Sequence, residues 1–563
     1  MKTPLIVFDN FTFKYDAQVE PTLHDINLTL YEGEKVLILG QSGSGKSTMV
    51  HCLNGLIPYS FKGKINGSLT IAGVDTLHTS IFQLSKIVGT VLQDSDAQFV
   101  ALSVEDDVAF ALENKSMPKK EMIPLVHYAL NKVGMIDFLK QVPFELSGGQ
   151  KQKVAVAGIL HEDVKILLFD EPLASLDPVS NLRTVEMMDE MAQDGKTVIV
   201  VEHRFEDILH RKVDRVIVLE EGRIVFDGDV NRLLQEDILR KNGLREPLYV
   251  QALRMAKIDL KGLSLNQVQD VDFAHFKKQL SFLNDKHPLP PQKERLPLVE
   301  VKDVSFAYDP KKLVLKNISF KLYKGERLAL VGQNGAGKST LAKLLVGVIR
   351  PQSGSIEING EDIKIYSIAE IANRIGYVMQ NPNTMIVKHM IKEEVSLALT
   401  LRKYSSDAID KAVTEALTIT GLESMSHWPI NALSYGQKKR LTVASILALK
   451  PEVLILDEPT AGQDYRHYTE IMDFLNEINV SAGISFIFIT HDIHLAIEYT
   501  DRALVFSDGT LIKDARIFDA LSDQSILERA SLTQTSLYTL AQKCGFEPER
   551  VIENFILHKG LYE

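Results

Sequence analysis

Nine residues occur twice in this chain, almost unchanged: GQSGSGKST at Gly40–Thr48 and GQNGAGKST at Gly332–Thr340. A repeat constrains the fold before any other feature, because a diverged copy must fold as its twin does. Four further landmarks recur in the same order. Gln93 and Gln380, Ser147 and Ser434, and Asp170 and Asp457 each lie 287 residues apart. His203 and His491 lie 288 apart, and Lys46 and Lys338 lie 292 apart. Chance matches would not keep step in this way, so the second half reads as a diverged copy of the first.

Each copy has the pattern of an α/β domain. KVLILG (35–40) and RLALVG (327–332) are apolar runs ending in glycine, as buried strands do. A helix is expected to follow each loop, from about Ser47 and Ser339. KILLFDEP (165–172), VLILDEP (453–459), TVIVVEH (197–203) and SFIFITH (485–491) supply further buried strands. Strands alternating with helices predict a mainly parallel sheet with its ligand at the strands' carboxyl ends. We place the first domain at residues 3–232, a helical extension and linker at 233–297, the second domain at 298–522 and a C-terminal helical extension at 523–563. KHPLPPQKERLP (286–297) is proline-rich and charged, as exposed linkers are. REPLYVQAL (245–253) and QTSLYTLAQ (534–542) share Leu-Tyr at an offset of 289, which predicts a helical extension behind each domain.

Both loops match GxxxxGK[ST]. Glycines there let backbone N–H groups point inward around phosphate oxygens, and the following helix aims its positive end at them. The predicted phosphate cradles are Gly40, Gln41, Ser42, Gly43, Ser44, Gly45, Lys46, Ser47 and Thr48, and Gly332, Gln333, Asn334, Gly335, Ala336, Gly337, Lys338, Ser339 and Thr340. Lys46 and Lys338 suit the β- and γ-phosphates, and Ser47 and Ser339 suit Mg2+. A phosphate loop alone does not separate kinases, GTPases and transport ATPases.

Asp170-Glu171 and Asp457-Glu458 each end an apolar strand. An aspartate at a strand tip beside a phosphate loop can hold Mg2+. The neighbouring glutamate can polarise the attacking water as a general base. A helix N-cap needs only one acid and no buried strand, so the pairing favours hydrolysis.

ELSGGQKQKVAVAGIL begins at Glu145 and ALSYGQKKRLTVASIL at Ala432. With these segments upstream of the carboxylate strands, the chain resembles the ATP-binding-cassette family over roughly residues 3–232 and 298–522. The resemblance implies two phosphate-loop NTPase domains, each with a parallel core, a β-subdomain and a helical subdomain. It implies ATP and Mg2+ as cofactors. It further implies adenine stacking by Tyr15 and Tyr308, and glutamine loops at Gln93 and Gln380 that join Asp170 and Asp457 around the metal. It places D-loops at Asp177 and Asp464 and switch histidines at His203 and His491, which join Glu171 and Glu458 in catalysis. In this family two domains stack head to tail. The first loop is then expected to face Ser434, Tyr435, Gly436 and Gln437, and the second to face Ser147, Gly148, Gly149 and Gln150. The second signature departs from the family pattern, with Tyr435 where the first has Gly148. A side chain there either crowds the first site or is accommodated, and equal turnover of the two sites stays open.

VLQDSDAQFVALSVEDDVAFALEN (91–114) resembles the glutamine-loop region of ATPases from energy-coupling-factor vitamin importers. The two-domain fusion is similar to import ATP-binding proteins linked to hydroxymethylpyrimidine or thiamine uptake. That resemblance implies a transmembrane coupling protein and a small membrane substrate-binding subunit as partners. It also implies a peripheral location on the cytoplasmic face of the cell membrane and no direct contact with the transported substrate. No apolar run reaches the ~18 residues that span a bilayer, and the N-terminus does not have the pattern of a signal peptide. A net charge of −11 argues against nucleic acid as the main partner. It also argues against the alternative, a soluble tandem cassette ATPase of the ribosome-associated kind, as does the proline-broken linker of mixed charge. Two cysteines, Cys52 and Cys544, fit small apolar roles in a reducing compartment.

Overall fold

The computed structural model describes residues 3–93, 95–160, 164–174, 176–286 and 296–562. Most of the predicted linker KHPLPPQKERLP lies outside the described residues. The chain divides into two units, Met1–Phe273 with Asp464–Arg466, and Ala274–Gln463 with His467–Glu563.

In the first unit a six-stranded sheet carries the fold. Its order is Arg223–Gly228, Arg215–Glu220, Lys35–Gly40, Thr197–Val201, Ile166–Asp170 and Val88–Val91. All neighbours pair in parallel except Arg223–Gly228, which turns back antiparallel on its predecessor. Lys35–Gly40 is buried along its whole length. A strand covered on both faces needs an unbroken apolar run, as KVLILG supplies. A second sheet, antiparallel, orders Leu23–Tyr31, Pro4–Tyr15, Gly63–Ile71 and Val74–Asp75. Phe8, Phe11 and Phe13 from it join Val36, Ile38, Ile166 and Ile199 in one core.

The second unit repeats this plan. Its six-stranded sheet orders Ile375–Val378, Val453–Asp457, Ser485–Ile489, Arg327–Gly332, Arg502–Ser507 and Thr510–Arg516. Its antiparallel sheet orders Leu315–Tyr323, Pro297–Phe306, Ser353–Ile358 and Glu361–Asp362. Both expected parallel cores and both antiparallel subdomains are therefore present.

The helical subdomains are equally matched. Helices Val104–Asn114 and Lys119–Lys132 pack on helix Gly148–Leu160, and Ile391–Leu401 and Ser406–Ile419 pack on Tyr435–Leu447. Helices follow the loops at Lys46–Leu53 and Lys338–Leu345. Each begins on a glycine at φ 100°, Gly45 and Gly337. A Cβ on Gly45 would stand 2.9 Å from Leu23 Cδ2, and one on Gly337 would stand 2.6 Å from Leu315 Cδ2. Left-handed backbone and a close neighbour together reserve both positions for glycine. The extensions contain helices Leu248–Met255 and Ser536–Cys544, as the shared Leu-Tyr predicts. Among the described residues no helix is long and apolar enough to cross a membrane.

Candidate ATP sites

Each phosphate loop holds its own lysine. Lys46 Nζ donates to the carbonyls of Gly40 and Gln41, both at 2.8 Å. Lys338 Nζ donates to those of Gly332 and Gln333 at 2.6 and 2.9 Å. Burial lowers the Lys46 ammonium below its usual range, opposed by the nearby Glu171 carboxylate. Loop, lysine and acid thus converge. Ser47 and Ser339 are exposed at the mouths of the loops.

The acids stand on the neighbouring strand. Asp170 ends Ile166–Asp170, and burial, reinforced by the Glu171 charge, raises it to about 6. Burial likewise raises Asp457, against hydrogen bonds from Tyr377 and Ser339 that favour its charged form. The Tyr377 hydroxyl donates to Asp457 Oδ2 at 2.7 Å. Ser339 and Asp457 therefore meet. Their hydroxyl and carboxylate are hard oxygen donors of the kind that suits Mg2+. Ser47 and Asp170 offer the same donor types in the first copy.

Both glutamates adopt left-handed backbone at φ 47°, immediately after the strand ends. Their amides still extend the sheet, Glu171 N donating to Val201 O at 2.8 Å and Glu458 N to Ile489 O at 2.9 Å. A non-glycine residue in that region stores strain, and the kink turns the side chain towards the histidine that follows the next strand. His203 Nε2 lies 2.8 Å from Glu171 Oε1, and His491 Nδ1 lies 2.6 Å from Glu458 Oε1. Burial would raise both glutamates, but the hydrogen bond and charge of each histidine outweigh it and hold both carboxyls below their usual range.

The remaining partners differ between copies. Gln93 Nε2 donates to Glu171 Oε2 at 2.5 Å. In the second copy the Thr490 hydroxyl donates to Glu458 Oε2 at 3.3 Å and the His491 amide donates to Oε1 at 3.1 Å. Where the second copy has Thr490, the first has Glu202, a buried carboxyl whose Oε2 has no hydrogen-bond partner.

At the signatures, serine and glutamine close a reciprocal cap. The amide of Ser147 donates to Gln150 Oε1 at 2.9 Å, and that of Gln150 to Ser147 Oγ at 3.4 Å. Ser434 and Gln437 repeat it at 2.9 and 3.3 Å. This capping box was legible as S-x-x-Q and went unread. Gly149 and Gly436 sit in the first turn of the signature helices. Tyr435 turns back on its own copy: its hydroxyl donates to the Gln380 carbonyl at 3.5 Å, and Lys439 Nζ stands 5.5 Å from its ring centre. Lys439 Nζ donates to the Pro459 carbonyl at 2.5 Å, where the first copy uses Gln152 on Pro172. Sequence reading also missed this exchange, although both residues lie five past the signature serine.

The two tyrosines differ in freedom. Tyr15 shares a 3.1 Å hydrogen bond with Thr48 and stands edge-on to Phe13 and Phe61, whereas Tyr308 is 58% exposed. Asp177 caps helix Pro178–Gln193 through the Ser180 amide, and Asp464 is fully buried.

Residues 23–174 and 315–461 match a family described as ABC transporter, and residues 236–306 match one described as ATP-binding cassette cobalt transporter. An ABC transporter ATP-binding protein of Enterococcus faecalis is 49% identical over 562 residues, covering 99% of both chains. One from Photobacterium profundum is 48% identical over 558 residues, covering 98% of both. Among solved structures, CbiO1 of Clostridium perfringens, described as part of the ABC transporter complex CbiONQ, is 33% identical. It covers 44% of this chain and 100% of its own, with a TM-score of 0.40. The chain belongs to the ABC transporter family of ATP-binding proteins, as an ATPase whose turnover is coupled to transport.

Proposed function

We propose that the chain is the ATPase of an energy-coupling-factor importer for a vitamin or similar micronutrient. The observation that carries this reading is the segment after the first domain, residues 236–306, which matches the cobalt-transporter family. The importer-like stretch 91–114 supports it. Cobalt itself, or a nutrient handled by the same machinery, belongs to the same class of cargo. In the segments that follow the two glutamines, the side chains of Val100 and Leu102 after Gln93 and of Val387 after Gln380 are exposed, as is Met379 next to Gln380. Apolar patches beside the glutamine loops suit helices of a transmembrane coupling protein. A small membrane subunit would bind the substrate, so the cargo never touches this chain. Relatives described as transporter proteins and a net charge of −11 favour transport over ribosome binding.

In the proposed cycle the loops at Gly40–Thr48 and Gly332–Thr340 each cradle the phosphates of one ATP. Mg2+, held by Ser47, Gln93 and Asp170 or by Ser339, Gln380 and Asp457, would supply charge neutralisation at the phosphates. Glu171 and Glu458 accept a proton from the attacking water, and His203 and His491 orient them. Signature donors favour a γ-phosphate over none, so ATP and ADP bias closure differently.

The experiment is affinity purification from detergent-solubilised membranes with ATP, ADP and no nucleotide. A membrane subunit is expected to co-purify. Its absence under all three conditions would sink the import reading and leave the ATPase assignment standing.

A further inference from the structure

We propose that each C-terminal extension positions its own phosphate loop, with Asn242 and Ser531 acting as positioning residues on Gln41 and Gln333. The inference depends on the ATPase reaction alone, not on the import reading. Gln41 Nε2 donates to the Asn242 carbonyl at 2.8 Å. In the second copy the Ser531 hydroxyl donates to Gln333 Oε1 at 2.9 Å, and Gln333 Nε2 donates to Asp508 Oδ1 at 3.0 Å. Asn242 and Ser531 are 289 residues apart, the same offset as Leu248 and Leu537. Equivalent positions therefore make the same connection with different chemistry, a main-chain acceptor in one copy and a side-chain donor in the other.

Local structure aims both contacts. Each comes from the first residues past a short helix, Ile238–Lys241 and Gln524–Arg529. Asn242 Nδ2 donates back to the Ile238 carbonyl at 2.6 Å, which fixes the cap and leaves its own carbonyl to Gln41. Next to it, a Cβ on Gly243 would stand 2.2 Å from Gln41 Nε2, and Gly243 has φ 56°. Only a glycine there lets the glutamine reach the extension.

A later part of each extension holds the helix behind the switch histidine. The Leu248 amide donates to Glu206 Oε2 at 2.9 Å, three residues past His203. Lys559 Nζ pairs with Glu498 Oε2 at 3.0 Å, seven residues past His491, both side chains nearly buried. One segment thus touches both the phosphate loop and the histidine helix of its own copy. Gln41 and Gln333 also lend their carbonyls to Lys46 and Lys338, so fixing the glutamine fixes where each lysine rests.

The test is steady-state ATP hydrolysis by the full chain with one site silenced. Ser531→Ala in a Glu171→Gln background is expected to raise the KM for ATP about 2- to 10-fold, the range of one net hydrogen bond. The kcat should stay within a factor of about 2, and Ser531→Thr should restore KM. In a Gln333→Ala background Ser531→Ala should add nothing, because the partner is already gone. Gly243→Ala in a Glu458→Gln background should raise KM at the first loop. If it fails to fold, Ser531→Ala decides alone. An unchanged KM for Ser531→Ala, with or without a lower melting temperature, overturns the proposal, as does an equal effect without Gln333.

Discussion

His203 meets Glu171 through Nε2, at 2.8 Å. Its twin His491 meets Glu458 through Nδ1 instead, at 2.6 Å, with a backbone amide added. The two sites thus hold the same acid by opposite ring nitrogens. Neighbouring chemistry tracks the difference. Thr490 can donate to Glu458, whereas Glu202 presents a second carboxyl beside Glu171. In both arrangements the glutamate is kept ionised, as a proton acceptor must be.

Replacing that acceptor tests the assignment. Glu171→Gln and Glu458→Gln should each retain ATP binding, because neither side chain belongs to the phosphate loops. The double variant should lose about 10²- to 10⁴-fold in kcat, the usual worth of a general base. Phosphate release and radiolabelled ATP binding on the same preparations check both halves. Undiminished hydrolysis in the double variant removes these residues from the mechanism.

Glu202 predicts a pH dependence confined to the first copy. Burial, then the Glu171 charge, pushes its carboxyl well above the usual range, with Asp207 adding and Arg204 opposing. A raised acid contributes stability that is full below its unfolded value near 4.5 and is lost as pH rises through the folded value. Each unit of elevation corresponds to about 1.4 kcal/mol. Wild type should therefore lose thermal stability relative to Glu202→Gln as pH rises above about 4.5. Parallel melting profiles for the two proteins would refute it.

The parts legible in sequence are those that local chain determines. KVLILG and GQSGSGKST announce a buried strand, a turn and a helix through residues that are neighbours in the chain. Asp170 and Glu171 could be placed because a strand has one carboxyl end. The ring nitrogen that each histidine uses could not, since it depends on what packs around the imidazole. Nor could the reach of Gln41 to Asn242, about 200 residues away, because nothing local in GQSG specifies a partner. The exchange of Gln152 for Lys439 was visible as letters but carries meaning only once Pro172 and Pro459 are seen above them.

Adenine binding should be uneven. Each tyrosine stands edge-on to a phenylalanine, Tyr15 to Phe13 and Tyr308 to Phe306, but Tyr15 is also engaged by Thr48 and Phe61 whereas Tyr308 is left largely exposed. An aromatic stacking pair is worth about 0.5–1.5 kcal/mol, or roughly 2- to 12-fold in affinity. Tyr308→Ala should weaken ATP binding at the second loop by that amount. Tyr15→Ala should also lower melting temperature, because it removes packing against the phosphate-loop helix. Equal affinity losses with no difference in melting would contradict the distinction.

Lys439 sets the last prediction. It is buried, and burial lowers its ammonium from 10.5 to about 8, with the Glu458 charge opposing. A lowered base is a stability cost. The unfolded chain binds the proton more tightly between about pH 8 and 10.5, so the cost is full below 8 and is relieved as pH climbs through that window. The displacement corresponds to roughly 3 kcal/mol. Lys439→Gln installs the residue the first copy already uses on Pro172, keeping a donor for the Pro459 carbonyl. It gives up the contact with the Tyr435 ring, worth about 1 kcal/mol. The net expectation is a gain on the order of 2 kcal/mol at pH 7 that shrinks towards pH 10.5. Calorimetric unfolding at the two pH values reads it directly. A variant less stable at pH 7, or a gain that persists unchanged at pH 10.5, would show that the ammonium is better accommodated than its burial implies.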